Sequence, residues 1–405
     1  MEPQSGFPDT IHLPKGFSFS AVKAGIKASG RPDVALASVP SGASAAALFT
    51  KNRVVAAPLV VGRSSLAKTR GHVRAVIVNA GNANCATGKA GIEACQEVCR
   101  ETARALGIKA EEVFPSSTGI IGVPLPQEKI IANLPGLIAN SEAGVEGVKQ
   151  FAGAIMTTDL RPKVDSVKVR AGKLDFSLLG IAKGSGMIHP QMATMLVYLF
   201  TDIDAGPVEL KRLLKAACDE TFNCISVDGD TSTNDTVFLL ASGQSGVRFK
   251  DPGVAKKFAE ALLNVCKSLA LQVVSDGEGV KHVIKLSIES AKTRDEAMLV
   301  AKSIAHSPLV KTAWAGADPN WGRILAAVGY SGAPIQTEKV EIWIARQKVF
   351  GNGVVQKFNE MEAHRALSQS SCDIRVKLGR GKSSVLFYTT DLTAEYVHIN
   401  ADYST

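Results

Sequence analysis

A chain of 405 residues is long enough to form two domains or one elaborate one around a sizeable core. With 45% hydrophobic and 21% charged residues it reads as an ordinary globular protein, neither disordered nor fibrous. Its net charge of +8 is spread along the chain without a basic run, which disfavours nucleic-acid binding, while a modest cationic surplus suits a small anionic substrate.

The first segment, "MEPQSGFPDTIHLPKGF", carries early acids and prolines and no apolar stretch, so no signal peptide is expected. "VRAVIVNAG" (73–81) is a β-branched run ending in glycine, the pattern of a buried strand. Between Lys89 and Leu106, Ile92, Cys95, Cys99 and Leu106 recur at helical spacing, and Gly107 supplies a stop. Further helices are predicted at about 207–221 and 253–270, the second with a stripe of Val254, Phe258, Leu262, Val265 and Leu269. The last third changes character: 340–350, 373–379 and 384–392 read as strands, with little helix apart from roughly 357–368. The longest uncharged stretch, Gly184–Thr201, is filled in its first half by Gly, Ser, His, Pro and Gln, so no membrane span is predicted. Seven cysteines (85, 95, 99, 218, 224, 266, 372) without a CxxC pair suggest reduced thiols in a cytoplasmic protein.

Several cofactor motifs fail on inspection. "GRGKSS" (379–384) lacks the first glycine of a phosphate loop, since Val376 stands there. "DGDTSTND" (228–235) has Thr233 at the glycine position of a calcium loop and Leu239 where its bidentate acid belongs. "KGSG" is no dinucleotide fingerprint, and the histidines show no zinc spacing, so neither a cofactor nor a metal is expected.

"KGSGMIHPQMATMLVYLFTD" (183–202) sets Thr194 where a glycine-rich lead-in becomes an apolar run. A threonine hydroxyl is a weak nucleophile without an adjacent base, and a free N-terminal amine on the same residue is one solution. Thr194 reaches that state only if the Ala193–Thr194 bond breaks, by attack of its own hydroxyl on the Ala193 carbonyl. Taken alone, "MATML" reads as no more than the start of a buried strand, since most internal threonines are structural. "PSSTGIIG" (115–122) is a small-residue turn whose Thr118 hydroxyl and Gly119 N–H are candidate oxyanion donors. "IMTTD" (155–159), "SDGEG" (275–279) and "NADYST" (400–405) add hydroxyls, acids and an amide at bends, each singly a common cap or turn.

Taken together and in order, these segments resemble the ornithine acetyltransferase family, also called glutamate N-acetyltransferases, of the cyclic arginine pathway. The likeness spans nearly the whole chain and includes "VNAGNANCATG", "PSSTGIIG", "KGSGMIHPQMATML", "ISVDGDTSTND", "AGADPNWGRILAAVGYSG" and "TTDLTAEYVHINADYST". The resemblance implies an α/β fold, a layered α-β-β-α-like sandwich of the N-terminal-nucleophile type with a strand-rich C-terminal part. It implies self-cleavage between Ala193 and Thr194 into an α chain (1–193) and a β chain (194–405), assembled as a heterotetramer of two α and two β chains. A structural boundary is expected near 275–300.

By the same resemblance, Thr194 is the nucleophile and Thr118 and Gly119 form the oxyanion hole. Substrate contacts fall on Thr157, Lys183, Thr194, Glu278, Asn400 and Thr405. The implied reaction is ping-pong transfer of acetyl from N2-acetylornithine to glutamate through acetyl-Thr194, with acetyl-CoA an open second donor. An N-terminal-nucleophile amidohydrolase, which transfers to water, shares the same nucleophile. Two departures stand out: His189 replaces the small residue common before the Pro, and "DGEGVKHVIKL" differs from the family's "GEGATK" run.

Overall fold

The structure is a computed structural model and describes residues 6–189 and 195–402. Ala193, Thr194 and Thr405 lie outside the described residues.

The first sheet contains β1 (Ser18–Val22), β2 (Val34–Phe49), β3 (His72–Asn82), β4 (Val113–Ile120), β5 (Lys163–Ala171), β6 (Leu174–Lys183), β7 (Leu196–Thr201) and β8 (Thr236–Ala241). Its order is β4-β3-β2-β8-β7-β6-β5, with β1 added on β2; β3/β4 and β7/β8 are parallel and the other pairs antiparallel.

This sheet is bent into two facing layers by β2. Residues before Ser38 pair with β3 and residues after Ala43 pair with β8, with a register shift between them and Gly42 at φ +82°. Alternation along β2 sorts its side chains between layers. Ala35, Ala37, Ala45 and Ala47 point into a core shared by β3, β4, β6, β7 and β8, whereas Val34 and Leu36 face helices outside it. Phe114 of β4 stacks on Phe238 of β8 at 4.0 Å between ring centroids, closing the two layers on each other. The helix Gly88–Leu106 covers the β3–β4 layer through Cys95, Val98 and Cys99. The helices Pro207–Glu220 and Val254–Ser275 cover the β6–β8 layer. The order helix, sheet, sheet, helix is therefore the expected sandwich.

The second sheet holds β9 (Val283–Ala291), β10 (Glu341–Ile344), β11 (Gln347–Gly351), β12 (Val354–Val355), β13 (Ser371–Lys377) and β14 (Ser383–Thr390), ordered β12-β11-β10-β13-β9-β14. It has its own core, including Ile284, Leu286, Ile342, Ile374 and Phe387.

Two local readings need correction. The run 340–350 is not one strand but a hairpin, because Ala345 takes φ +50° and turns the chain between Ile344 and Gln347. The helices Arg294–Ala305, Pro308–Ala315 and Trp321–Gly329 also lie in the part expected to hold little helix. Their sequence signal is in their caps: Thr293, Ser307 and Asn320 each accept a backbone N–H of the first turn. Val254–Ser275 is long and apolar enough to cross a membrane, yet Phe258, Leu262, Cys266, Leu269 and Val273 are buried in the core, so it is a core helix.

Candidate active site

The facing layers bring together residues that are far apart in sequence. β4 carries Thr118 and Gly119 just before its last residue, Ile120, in one layer, and β6 ends at Lys183 in the other. Lys183 Nζ donates to Thr157 Oγ1 at 2.8 Å and to Thr118 Oγ1 at 3.3 Å. Lys183 is 3% exposed and Thr118 is 5% exposed, so these contacts form away from bulk water. A hydroxyl that accepts from an ammonium keeps its own hydrogen for another partner. Thr118 and Thr157 are thereby left as donors beside a cation, an environment that favours negative charge on a bound group.

Gly119 is required by geometry. Its φ is +133°, and a Cβ there would come within 2.3 Å of the Gly81 carbonyl carbon and 2.4 Å of the Asn82 nitrogen. The turn is braced from behind: Asn79 Oδ1 accepts from Ser117 Oγ at 2.6 Å, and Asn234 Nδ2 donates to the carbonyls of Ser117 (2.9 Å) and Ala83 (2.7 Å). Asn79 and Asn234 were not singled out from the sequence, although both lie in quoted motif segments.

Asp159 organises the other side. Its Oδ1 accepts from Gly184 N–H at 2.6 Å and from Lys163 Nζ at 2.7 Å. Its Oδ2 accepts from Thr157 N–H at 2.9 Å and lies 3.9 Å from Lys183 Nζ. Burial pushes this carboxyl up, but Lys163 and Lys183 outweigh that and hold it well below the usual range. Burial pushes the Lys183 ammonium down, against the opposing pull of Asp159. Lys163, fully buried, also reaches Asp276 Oδ2 at 2.6 Å. Asp159 and Asp276 lie in the quoted segments "IMTTD" and "SDGEG", but Lys163, which joins them, was not picked out from the sequence, and its pairing with Asp276 spans 113 residues.

Glu278 and Asn400 form a second group. Asn400 Nδ2 donates to Glu278 Oε2 at 2.9 Å, and Glu278 N–H donates to Ser185 O at 3.0 Å. The Glu278 carboxylate lies against Gly186, where a Cβ would come within 2.4 Å of it. The described residue next to Thr194 is equally constrained: Met195 N–H donates to Asp235 Oδ1 at 3.0 Å, and Met195 O accepts from Thr236 N–H at 3.2 Å. Asp235 is 1% exposed, and burial pushes its carboxyl well up.

His189 pairs with His306, Nδ1 to Nε2 at 3.2 Å, and His306 Nε2 is 3.0 Å from Ser226 Oγ. Burial and Lys302 lower His189 to about 4, so this departure places a neutral imidazole near the end of the described lead-in. Cys85 is buried beside Ala56 and Ala83 in a small apolar cluster, the packing of a structural cysteine.

Of the expected site residues, Thr118, Gly119, Thr157 and Lys183 thus share one polar centre, and Glu278 and Asn400 share another. Comparison with known proteins gives this arrangement a context. The ArgJ family model matches residues 18–405. The chain is 42% identical over 394 residues to the arginine biosynthesis bifunctional protein ArgJ of Geobacter sulfurreducens, covering 96% of this chain and 99% of that one. It is 40% identical to the solved ArgJ chain of Bacillus halodurans, covering 52% of this chain and all (100%) of that one at a TM-score of 0.49. It is 37% identical to ornithine acetyltransferase of Mycobacterium tuberculosis, solved with ornithine, covering 44% of this chain and 92% of that one at a TM-score of 0.38. With a family model spanning residues 18–405 and a relative matched over nearly the full length of both chains, the protein belongs to the ArgJ family.

Proposed function

We propose that this chain is a self-cleaving acyltransferase that moves an acetyl group from N2-acetylornithine to glutamate through an ester on Thr194. The observation that carries the reading is the pair of hydroxyls, Thr118 and Thr157, held by one buried ammonium at the end of the sandwich. The arginine-biosynthesis role printed for a relative 42% identical over 394 residues supports the substrate class.

In the first stage the Thr194 hydroxyl attacks the Ala193 carbonyl, and the Ala193–Thr194 C–N bond breaks as its nitrogen takes the proton and becomes the free Thr194 amine. Water then hydrolyses the resulting ester to leave the Ala193 carboxylate and the free Thr194 hydroxyl. The anchored Met195 supports this stage by holding the chain one residue downstream. In the second stage the freed amine takes the Thr194 hydroxyl proton as Oγ attacks the acetyl carbonyl of acetylornithine. An α-amine titrates near about 7.7–8.0, so much of it is unprotonated at neutral to mildly alkaline pH. The Thr118 hydroxyl and Gly119 N–H stabilise the oxyanion, a contact worth about 2.7–4 kcal/mol per donor in other enzymes. The C–N bond breaks, ornithine leaves with the proton, and the glutamate amine then attacks acetyl-Thr194 to regenerate the hydroxyl. Lys183 and Thr157 bind a substrate carboxylate, and Glu278 with Asn400 and Thr405 binds the ammonium end. No bound cofactor takes part; acetyl-CoA is the second donor that the same intermediate admits. The reading places the enzyme in the cytoplasm as an assembly of two α and two β chains, and the seven free, buried cysteines fit a reducing compartment.

Incubating the protein with N-acetylornithine, with and without glutamate, tests the reaction. Acetylglutamate with matching ornithine release is expected; free acetate alone would mark an amidohydrolase instead. The Thr194→Ala variant is expected to stay a single uncut chain with no transfer activity.

A further inference from the structure

A group of heavily buried charges lies next to the proposed substrate contacts Thr157 and Lys183. Lys163 is 0% exposed, and its two partners Asp159 and Asp276 are each 3% exposed. Burying such a set is costly, and packed apolar side chains would staple the fold here as well or better. What the charges do that apolar groups would not is bear on a neighbouring charge, and that neighbour is Lys183.

We infer that Asp159 and Lys163 are positioning residues for substrate recognition, which fix where the Lys183 ammonium points. This rests on the acyl-transfer reading, in which Lys183 meets a substrate carboxylate. Asp159 ties both arms of that contact, accepting from the backbone N–H groups of Thr157 and Gly184 while facing Lys183 at 3.9 Å. Lys163 fixes Asp159 at 2.7 Å and is itself held by Asp276 at 2.6 Å. Asp276 also accepts from Leu160 N–H at 3.1 Å and lies 3.5 Å from Arg161 Nε. It stands two residues before Glu278, whose N–H bonds to Ser185 two residues after Lys183. One buried chain of charge thus sets the spacing of the Thr157, Lys183 and Glu278 segments.

The charged groups around Lys183 act in opposite senses. Asp159, Glu278 and Asp235 favour its protonated form, whereas burial and Lys163 disfavour it. Lys27, from the segment between β1 and β2, adds a further like charge. Removing Asp159 therefore weakens the hold on the proton, and removing Lys163 strengthens it. If a protonated Lys183 is needed to bind substrate, activity is lost as pH rises through its pKa.

The test is the pH profile of kcat/KM for N-acetylornithine, measured on full-length self-cleaved protein, for wild type, Asp159→Asn and the double variant Lys163→Met with Asp276→Asn. The double variant removes a cation together with one of its anions, so the net charge of the group is kept. Asp159 retains Lys183 at 3.9 Å, and Arg161, freed from Asp276, has a partly exposed side chain that water can solvate. In Asp159→Asn the alkaline limb is expected to move about one pH unit or more downward, the usual effect of losing an opposite charge at this range. In the double variant it is expected to move upward. The acid limb, which belongs to the Thr194 amine, should stay in place in both. Thermal unfolding and the cleavage pattern show whether each variant is folded. A folded Asp159→Asn with an unmoved alkaline limb, or two variants shifting the same way, overturns the inference. Loss of folding in both would make the network purely structural and overturn it too. A wild-type protein that makes no acetylglutamate defeats the functional reading instead, which keeps the two failures distinct.

Discussion

At the scale of single residues, Gly119 and Thr118 do different work within one turn. Gly119 has no room for a side chain, because Gly81 and Asn82 backbone atoms occupy the place a Cβ would take. A Gly119→Ala change therefore has to move β4 against β3 and shift the neighbouring Thr118 hydroxyl. Such a change is expected to cost roughly 100-fold or more in kcat, the order seen when an oxyanion donor is lost. Thr118→Ser, which keeps the hydroxyl, is expected to retain far more activity than Thr118→Val. Steady-state kinetics on the cleaved protein decides both, and equal losses for Ser and Val would show that the hydroxyl is not used. "PSSTGIIG" offered these two residues as candidates although alone it reads as an ordinary turn, and the structure makes Val113–Ile120 a strand whose close approach to β3 leaves no room for a Cβ at Gly119. Asp159 could not be read as a partner of Lys183 in the same way.

At the scale of elements, β7 matters because its first residue, Leu196, follows the proposed nucleophile by two. A new chain end frays unless something ties it down. Met195 is tied at both backbone groups, by Asp235 and by Thr236 at the head of the parallel strand β8. Asp235→Leu removes the acceptor for Met195 N–H, leaving a buried donor unpaired at about 1–3 kcal/mol. It is expected to slow self-cleavage and to lower kcat about tenfold, while Asp235→Asn keeps the acceptor oxygen and most of the activity. Intact mass against time follows the cleavage, and unchanged cleavage in Asp235→Leu would remove Asp235 from this role. The parallel β7/β8 pair also brings the end of "DGDTSTND" beside Met195. Its Asn234 and Asp235 serve the β4 turn and Met195, and its Asp228 accepts from Met187 N–H at 2.6 Å.

At the scale of the whole molecule, the two proposed chains are interlaced rather than adjacent. β6, before the cut, pairs with β7, after it, from Leu178↔Thr201 to Lys183↔Leu196, and β2 pairs with β8. The fragments are expected to elute together in native gel filtration and to separate only in denaturant. A second whole-molecule property comes from His189 and His306, which join the lead-in to the helices of the second sheet. Burial lowers both, His306 further through His189, Lys311 and Lys302, to about 3, against about 4 for His189. The neutral forms are favoured by the fold, so the unfolded chain binds more protons below about pH 6.5. Stability is therefore full above that pH and falls as pH drops toward 4 and below. The thermal midpoint is expected to fall between pH 7 and pH 4, and to fall less in His306→Gln; an equal fall in both would exclude the pair as the cause.

Sequence alone determined what local order can carry: the buried strand at β3, the helix closed by Gly107 and the ordered family motifs. These rest on periodicity, caps and φ requirements, which act over a few residues. Only the tertiary structure decided that β2 bends the sheet into two facing layers, that 340–350 is a hairpin, and that Lys163, paired with Asp159, reaches Asp276 across 113 residues of sequence. Contacts of that kind depend on where whole strands lie in space, and a side chain's distant partner leaves no mark on its sequence neighbours.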